Sequence, residues 1–269
     1  MVIVRGAGDI STGTIYRLFR AGYPVLALET DHPSAIRRKV AFSEAVYDGT
    51  ATVEDLTAVR ISDAGQAEEI IRQGSVPLLV DPAGESIRQL KPEVLVDAIL
   101  AKKNLGTTIG MAGLTIALGP GFEAGRDVHY VIETMRGHNL GRIISRGSAM
   151  PNTGVPGVIG GYGAERVIHS PAAGVFRPCM EIADEVQAGE TIGTVDTGTE
   201  EIPVTTRIAG ILRGIIRDGY PVTEGFKLAD VDPRLEEKKN CFTISDKARC
   251  IAGSVLELVS AYSRARLQG

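Results

Sequence analysis

Tryptophan is absent from this chain, and aromatic residues of every kind make up only 5% of it. Stacking platforms for nucleic-acid bases are built from aromatic faces, so the composition argues against that class. Positive charge is also scarce: 29 Lys and Arg stand against 33 Asp and Glu, a net −4. Phosphate backbones and anionic membranes attract the opposite balance, so neither nucleic acid nor membrane is expected as a partner. Cysteine occurs three times, at Cys179, Cys241 and Cys250. These three lack metal-type spacing and cannot all pair, which fits a reducing compartment and predicts no metal site. No apolar run reaches the roughly 18 residues of a membrane-crossing helix. The expectation is a cytoplasmic protein. What the chain has in excess is glycine, 32 of 269 residues, and glycine marks tight turns and close backbone approaches.

The first ninety residues alternate strand and helix signals. Val2-Ile3-Val4 is a β-branched run entering Gly6-Ala7-Gly8-Asp9, and a helical pattern follows through Leu18 to Gly22. Pro24 to Leu28 reads as a second buried strand ending at Glu29. Strand, glycine-rich turn, helix, strand, acidic residue is the order of a dinucleotide-binding unit. Gly6 allows the turn, Gly8 lets amides approach a phosphate, and the helix start adds about half a positive charge. The pattern departs from the fingerprint where Ser11 stands in the third glycine position and Gly13 comes two residues late. Asp9 also brings a carboxylate to the anion's place. The alternative reading is a structural turn capped by Asp9, Ser11 or Thr12. Further on, Ala45-Val46-Tyr47 and Thr57 to Ile61 read as strands, Ala64 to Gln73 as a helix, and Val76 to Val80 as a strong strand before Asp81-Pro82. Asp81 is either a ligand contact at a strand's carboxyl end or a turn former. The candidate cofactor-binding residues are therefore Gly6, Gly8, Asp9, Ser11, Thr12, Gly13, Glu29 and Asp81.

Leu114 to Leu118 and Val128 to Ile132 are two more strands. After them, Arg136, His138, Asn139 and Arg142 are concentrated between glycines in an otherwise acidic chain. This loop is a candidate anion site, since Arg offers a planar fork to carboxylate or phosphate. Histidine is the residue type best suited to acid–base work, but His138 has no adjacent nucleophile, so no catalytic residue is assigned. A run dense in turn residues from Gly147 to Gly163 marks a boundary between domains.

Beyond that boundary lies a repeat. Gly174-Val175-Phe176 matches Gly210-Ile211-Leu212 at a spacing of 36, and the same shift brings Val186 onto Val222, Gly189 onto Gly225 and Asp196 onto Asp232. The paired Val-x-x-Gly turns resemble the biotinyl/lipoyl barrel-sandwich. In carriers of that kind a lysine sits on the hairpin between the halves, and here Asp196 to Thr206 contains none, so the carrier role is not expected. Near the end, Ser245 is placed to cap a helix whose Ala248, Ile251, Val255, Leu258, Val259 and Tyr262 form one apolar stripe.

The segments VIVRGAGDISTG, VDAILAKKNLGT, ALGPGFEAGRDVHYVIETMRGHNLGRII and MPNTGVPG together resemble the YqeB-type family, accessory proteins of selenium-dependent molybdenum hydroxylase systems. The predicted fold is α/β. A Rossmann-like, mostly parallel sheet domain occupies 1–160 and a smaller all-β barrel-sandwich occupies 165–235. A helix over 245–266 packs back on the first domain. The resemblance implies a maturation factor for a molybdenum hydroxylase, partnered by that enzyme or its maturation machinery. With the glycine-rich turn and the basic loop, the candidate ligands are NAD(P) or another nucleotide, or the molybdenum cofactor. The alternatives are an NAD-dependent oxidoreductase, favoured over NADP by Glu29, and a non-catalytic scaffold that docks through the lipoyl-like module.

Overall fold

The computed structural model describes residues 1–268. It divides into two units. One comprises Met1–Pro33, Ala41–Thr153 and the chain from Ile244 onward; the other comprises Ser34–Val40 and Gly154–Thr243.

The first unit is built on β1 (Val2–Arg5), β2 (Val25–Glu29), β3 (Thr50–Val53), β4 (Leu56–Ile61), β5 (Val76–Val80), β6 (Val94–Asp97), β7 (Leu114–Leu118), β8 (Tyr130–Ile132) and β9 (Ile143–Ile144). They form one sheet in the order β3-β4-β5-β2-β1-β6-β7-β8-β9. Its centre is parallel, with Val2 opposite Val25 on one side and Val94 on the other. Strands with neighbours on both sides and covered faces carry continuous apolar runs, and β1, β6 and β7 are buried at every residue. Five helices accompany the sheet: α1 (Asp9–Arg20), α2 (Ala45–Asp48), α3 (Ala67–Arg72), α4 (Glu85–Leu90) and α5 (Asp246–Gln268). Ala45-Val46-Tyr47, read above as a strand, belongs to α2. Three apolar residues are too few to separate the two periodicities, and tertiary packing decides.

Helix α5 is the longest element of this unit. It buries Ala248, Ile251, Ala252, Val255 and Val259. A Cβ on Gly13 would lie 2.8 Å from the Cβ of Ala248, and one on Gly141 would lie 2.8 Å from the sulfur of Cys250. These glycines are the places where α5 presses closest. The Cys250 thiol and the Ser254 hydroxyl donate to the carbonyls of Leu140 and Gly141. At its start, the carboxylate of Glu54 accepts from the Ile244 amide at 3.0 Å and from the Arg249 guanidinium at 2.6 Å.

The second unit holds β10 (Val167–His169), β11 (Gly174–Pro178), β12 (Glu185–Val186), β13 (Thr191–Asp196), β14 (Glu201–Thr205), β15 (Gly210–Ile215), β16 (Pro221–Val222) and β17 (Lys227–Asp232). The 36-residue spacing reappears in the starts of β11 and β15, β12 and β16, and β13 and β17. The two copies exchange strands: β12 of the first pairs with β15 of the second, and β16 of the second pairs with β11 of the first. Their core is shared by Phe176, Ile192 and Val195 with Leu212, Leu228 and Val231.

The predicted Rossmann-like domain with a lipoyl-type barrel is corrected by this topology. The large sheet is mixed, because antiparallel pairs β3–β4 and β8–β9 close both of its edges. The second unit is two separate four-stranded antiparallel sheets, ordered β10-β17-β15-β12 and β14-β13-β11-β16, rather than one closed barrel. It also draws in Ser34–Val40 from far upstream, where Ile36 accepts from the Ile215 amide at 2.9 Å. Turn and alternation signals give strands but not their partners, which is why the pairing escaped the sequence.

Candidate functional site

Open α/β sheets bind ligands beyond the carboxyl ends of their parallel strands. In the first unit that edge carries a row of acids, one at the end of each of four strands, and each is already engaged. Glu29 at the end of β2 accepts from the Ala7 amide at 2.7 Å and the Thr30 amide at 2.8 Å. Asp81 after β5 accepts from the Glu85 and Ser86 amides at 3.0 and 2.8 Å and from the Ser86 hydroxyl at 2.6 Å. Asp97 at the end of β6 accepts from the Thr107 hydroxyl at 2.6 Å and the Ile99 amide at 3.3 Å. Glu133 after β8 accepts from the Met135 and Met150 amides, both at 2.8 Å. Loops that must satisfy their backbone donors without water use these carboxylates as caps.

The electrostatics follow from that arrangement. Burial pushes the Glu29 carboxyl up, against the lowering effect of the Thr30 and Ala7 amides. Burial likewise raises Asp97, opposed by the Thr107 hydroxyl, Arg5 and the Ile99 amide. At Asp81 burial also acts upward, but the Ser86 hydroxyl and the Ser86, Glu85 and Gly84 amides together bring it below the ordinary carboxylate range. Arg5, ending β1, is buried at 3% exposure and lies 3.5 Å from Asp97. Its guanidinium also donates to the Thr107 hydroxyl at 2.6 Å and the Pro82 carbonyl at 3.3 Å.

The glycine-rich turn is occupied by the protein itself. Gly6 has φ +93°, and a Cβ there would fall 2.8 Å from the Ala98 carbonyl oxygen. The chain after β6 therefore covers the place between β1 and β6 where the strand order reverses. Thr12 donates to the Ala7 carbonyl at 3.1 Å and accepts from the Phe42 amide at 3.0 Å; Ser11 donates to the Gly8 carbonyl at 3.1 Å. Gly8 begins α1 without a side-chain cap, so none of Asp9, Ser11 and Thr12 caps it. Only Gly8, Asp9 and Ile10 at this turn keep partial exposure.

The candidate anion loop is a set of turns. Leu140 donates to the Gly137 carbonyl and Arg142 to that of Asn139. His138, Asn139 and Arg142 are exposed, and the Arg136 guanidinium forms a two-pronged pair with Asp246 at 2.8 and 2.9 Å. The fork expected to grip a ligand grips the start of α5.

One group that the sequence reading passed over sits beside both regions. Lys247, in the first turn of α5, is half-buried. Burial pushes its amine down, aided by Arg136, while Asp9, Glu133 and Asp246 act upward. Among the described residues no hydrogen bond or contact ion pair holds the amine. A signal was available: a cation in a helix's first turn opposes the macrodipole, so a lysine two residues after the cap Ser245 needs another reason to be there. Among the described residues no group of three or more His, Cys, Asp and Glu could hold a metal.

No family model matches the chain. It is similar to the "Uncharacterized protein YqeB" of Escherichia coli (strain K12), 48% identical over 257 residues, which are 96% of this chain and 47% of that protein. That match bears out the resemblance to the YqeB-type family given above. The chain spans about half the length of the curated relative it matches. Among solved structures, it is similar to an aspartoacylase family protein from Mesorhizobium loti (12% identity, 87% and 85% of the two chains, TM-score 0.30). It is also similar to the ectoine utilization protein EutE from Ruegeria pomeroyi (10% identity, 86% and 85%, TM-score 0.26). A succinylglutamate desuccinylase/aspartoacylase from Rhodobacter sphaeroides matches at 30% identity over 25% of this chain and 22% of that one, TM-score 0.23. With TM-scores of 0.30 or below, these likenesses assign the chain neither fold nor reaction.

The expected molybdenum-hydroxylase maturation role, with its nucleotide or molybdenum-cofactor ligand, is corrected, as is the NAD-dependent oxidoreductase alternative. The turn that was to hold the phosphates is filled by the Glu29 carboxylate and the Ala98 backbone. No helix among the described residues is long and apolar enough to cross a membrane.

Proposed function

We propose that the first unit binds a small carbonyl compound and that the Lys247 amine is its reactive group. The observation that carries this reading is a half-buried lysine at the carboxyl edge of the sheet that makes no contact ion pair, although Asp9 and Glu133 lie within electrostatic reach. Burial that lowers an amine's proton affinity makes it the more nucleophilic. Such an amine adds to a carbonyl carbon, its proton passes to the carbonyl oxygen, and loss of water leaves a C=N bond. Acids beside it suit the proton transfers such an addition needs. The Arg136–Asp246 pair cancels its own charge, so the carboxylates at the amine favour a neutral carbonyl over a carboxylate-bearing one.

The test is trapping. The whole chain is incubated with propanal or with pyruvate, reduced with borohydride and mapped by peptide mass spectrometry. The expected adduct lies on Lys247 in excess over exposed Lys102 and Lys103, with propanal ahead of pyruvate. Adducts on Lys102 and Lys103 with none on Lys247 would overturn the reading.

A further inference from the structure

The strand order of the large sheet reverses between β1 and β6, and the crevice beyond the carboxyl ends at such a point is where open α/β sheets take their ligands. Here loop 98–106 covers it, with the Ala98 carbonyl set over Gly6. The loop leaves β6 at Asp97 and is tied back to that same residue by a side chain. The Thr107 hydroxyl donates to the Asp97 carboxylate at 2.6 Å and accepts from the Arg5 guanidinium at 2.6 Å. Arg5, Asp97 and Thr107 are 3%, 1% and 0% exposed. Losing a buried hydroxyl between a charged donor and a charged acceptor costs more than losing one in water.

The rest of the loop is held lightly. Among the described residues, the hydrogen bonds of 99–106 stay within 97–107. The Ile99 amide donates to Asp97 at 3.3 Å; the Asn104 side chain donates to the Thr107 carbonyl and accepts from the Gly106 and Thr107 amides, each at 2.8 Å. Lys102, Lys103 and Leu105 are exposed. Leu100 and Lys102 stand at φ +61° and +62°. That left-handed conformation is unfavourable for a residue with a side chain and persists only where its surroundings impose it. The turn after β7 presses on the middle of the loop: a Cβ on Gly121 would fall 2.7 Å from the Lys103 amide nitrogen.

We propose that 98–106 is a lid over the β1–β6 crevice and that Thr107 is its latch. The backbone strain at Leu100 and Lys102 favours opening, and the buried hydroxyl keeps the loop shut. Release of Thr107 uncovers Gly6 and leaves the sheet whole, because Val2–Arg5 and Val94–Asp97 pair without any help from the loop. The lid stands apart from the reading of Lys247 and does not depend on it.

The test is limited trypsin digestion of the whole chain, followed by peptide mass spectrometry. Cleavage after Lys102 and Lys103 reports the lid; cleavage after Arg17 in α1 and Arg88 in α4 reports the body of the same unit. Thr107→Val keeps the shape of the side chain and removes the hydroxyl. In that variant cleavage after Lys102 and Lys103 is expected to rise roughly tenfold, with cleavage after Arg17 and Arg88 unchanged. An unchanged rate after Lys102 and Lys103 overturns the proposal. An equal rise at all four sites overturns it too, since the whole unit has then loosened. Should Thr107→Val fail to fold, urea decides on the native chain. A lid exposes little surface when it opens, so cleavage after Lys102 and Lys103 should respond to urea far more weakly than cleavage after Arg17. Equal urea slopes overturn the lid.

Discussion

The Glu29 carboxylate accepts the Ala7 amide at 2.7 Å, bridging the end of β2 to the turn between β1 and α1. An acid 21 residues past Gly8 looked like a ribose contact, yet it serves as the backbone's own anion at that turn. Glu29→Ala leaves the Ala7 and Thr30 amides without their acceptor and is expected to cost about 1–3 kcal/mol in urea unfolding.

The same residue gives a pH signature. Burial raises its folded pKa above the ordinary 4.5. Its contribution is therefore fully present below that value and is lost as pH rises through the folded one. The stability difference between the native chain and Glu29→Gln, which stays neutral, should shrink as pH climbs above about 4.5 and through the folded pKa. A constant difference over that range contradicts the assignment.

Two glycine substitutions should move stability in opposite directions. Ala is the better helix former by up to about 1 kcal/mol. At Gly253, exposed on α5 with nothing within 4 Å of an added Cβ, Gly253→Ala is expected to raise the thermal midpoint. At Gly13 the added carbon meets Ala248 at 2.8 Å, and overpacking costs about 1–3 kcal/mol. Gly13→Ala should therefore lower the midpoint, and a rise would show that α1 and α5 are not in close contact.

His129 offers a window on the acid side. The Thr115 amide donates to its Nδ1 at 3.0 Å, so that nitrogen is unprotonated, and burial lowers the ring's affinity for a second proton below 6.5. A depressed pKa means stability that is present above the unfolded value and lost as pH falls through the folded one. Thermal midpoints should fall on acidification below about 6.5, and His129→Gln should flatten that part of the profile. An unaltered slope in the variant would rule out His129 as its source.

Much of the framework could be read from residues alone. Val2-Ile3-Val4, Val25 to Leu28 and Val76 to Val80 are apolar at every or nearly every position, and only a covered strand tolerates that. The stripe on α5 and the 36-residue spacing were equally visible. The pairing of strands was not, because exchange between two similarly patterned copies leaves each copy's own pattern unchanged. The site was harder still. Glycines and acids near β1 carry the same letters whether they cradle a ligand or cap the protein's own loops, and Ala98 and Glu29 settle that only in three dimensions. Lys247 was passed over because its charge neighbours, Asp9 and Glu133, lie more than a hundred residues upstream.

Helix α5 comes after the second unit in the chain, yet its seat is made by residues as early as Gly13. Ribosomal synthesis delivers the chain in order, so Ser34–Val40 and Gly154–Thr243 have all emerged while the groove beside α1 still waits for its last helix. The later-starting unit can finish first, and the nascent first unit presents a bare apolar stripe to whatever chaperone attends it until Val255 and Val259 arrive.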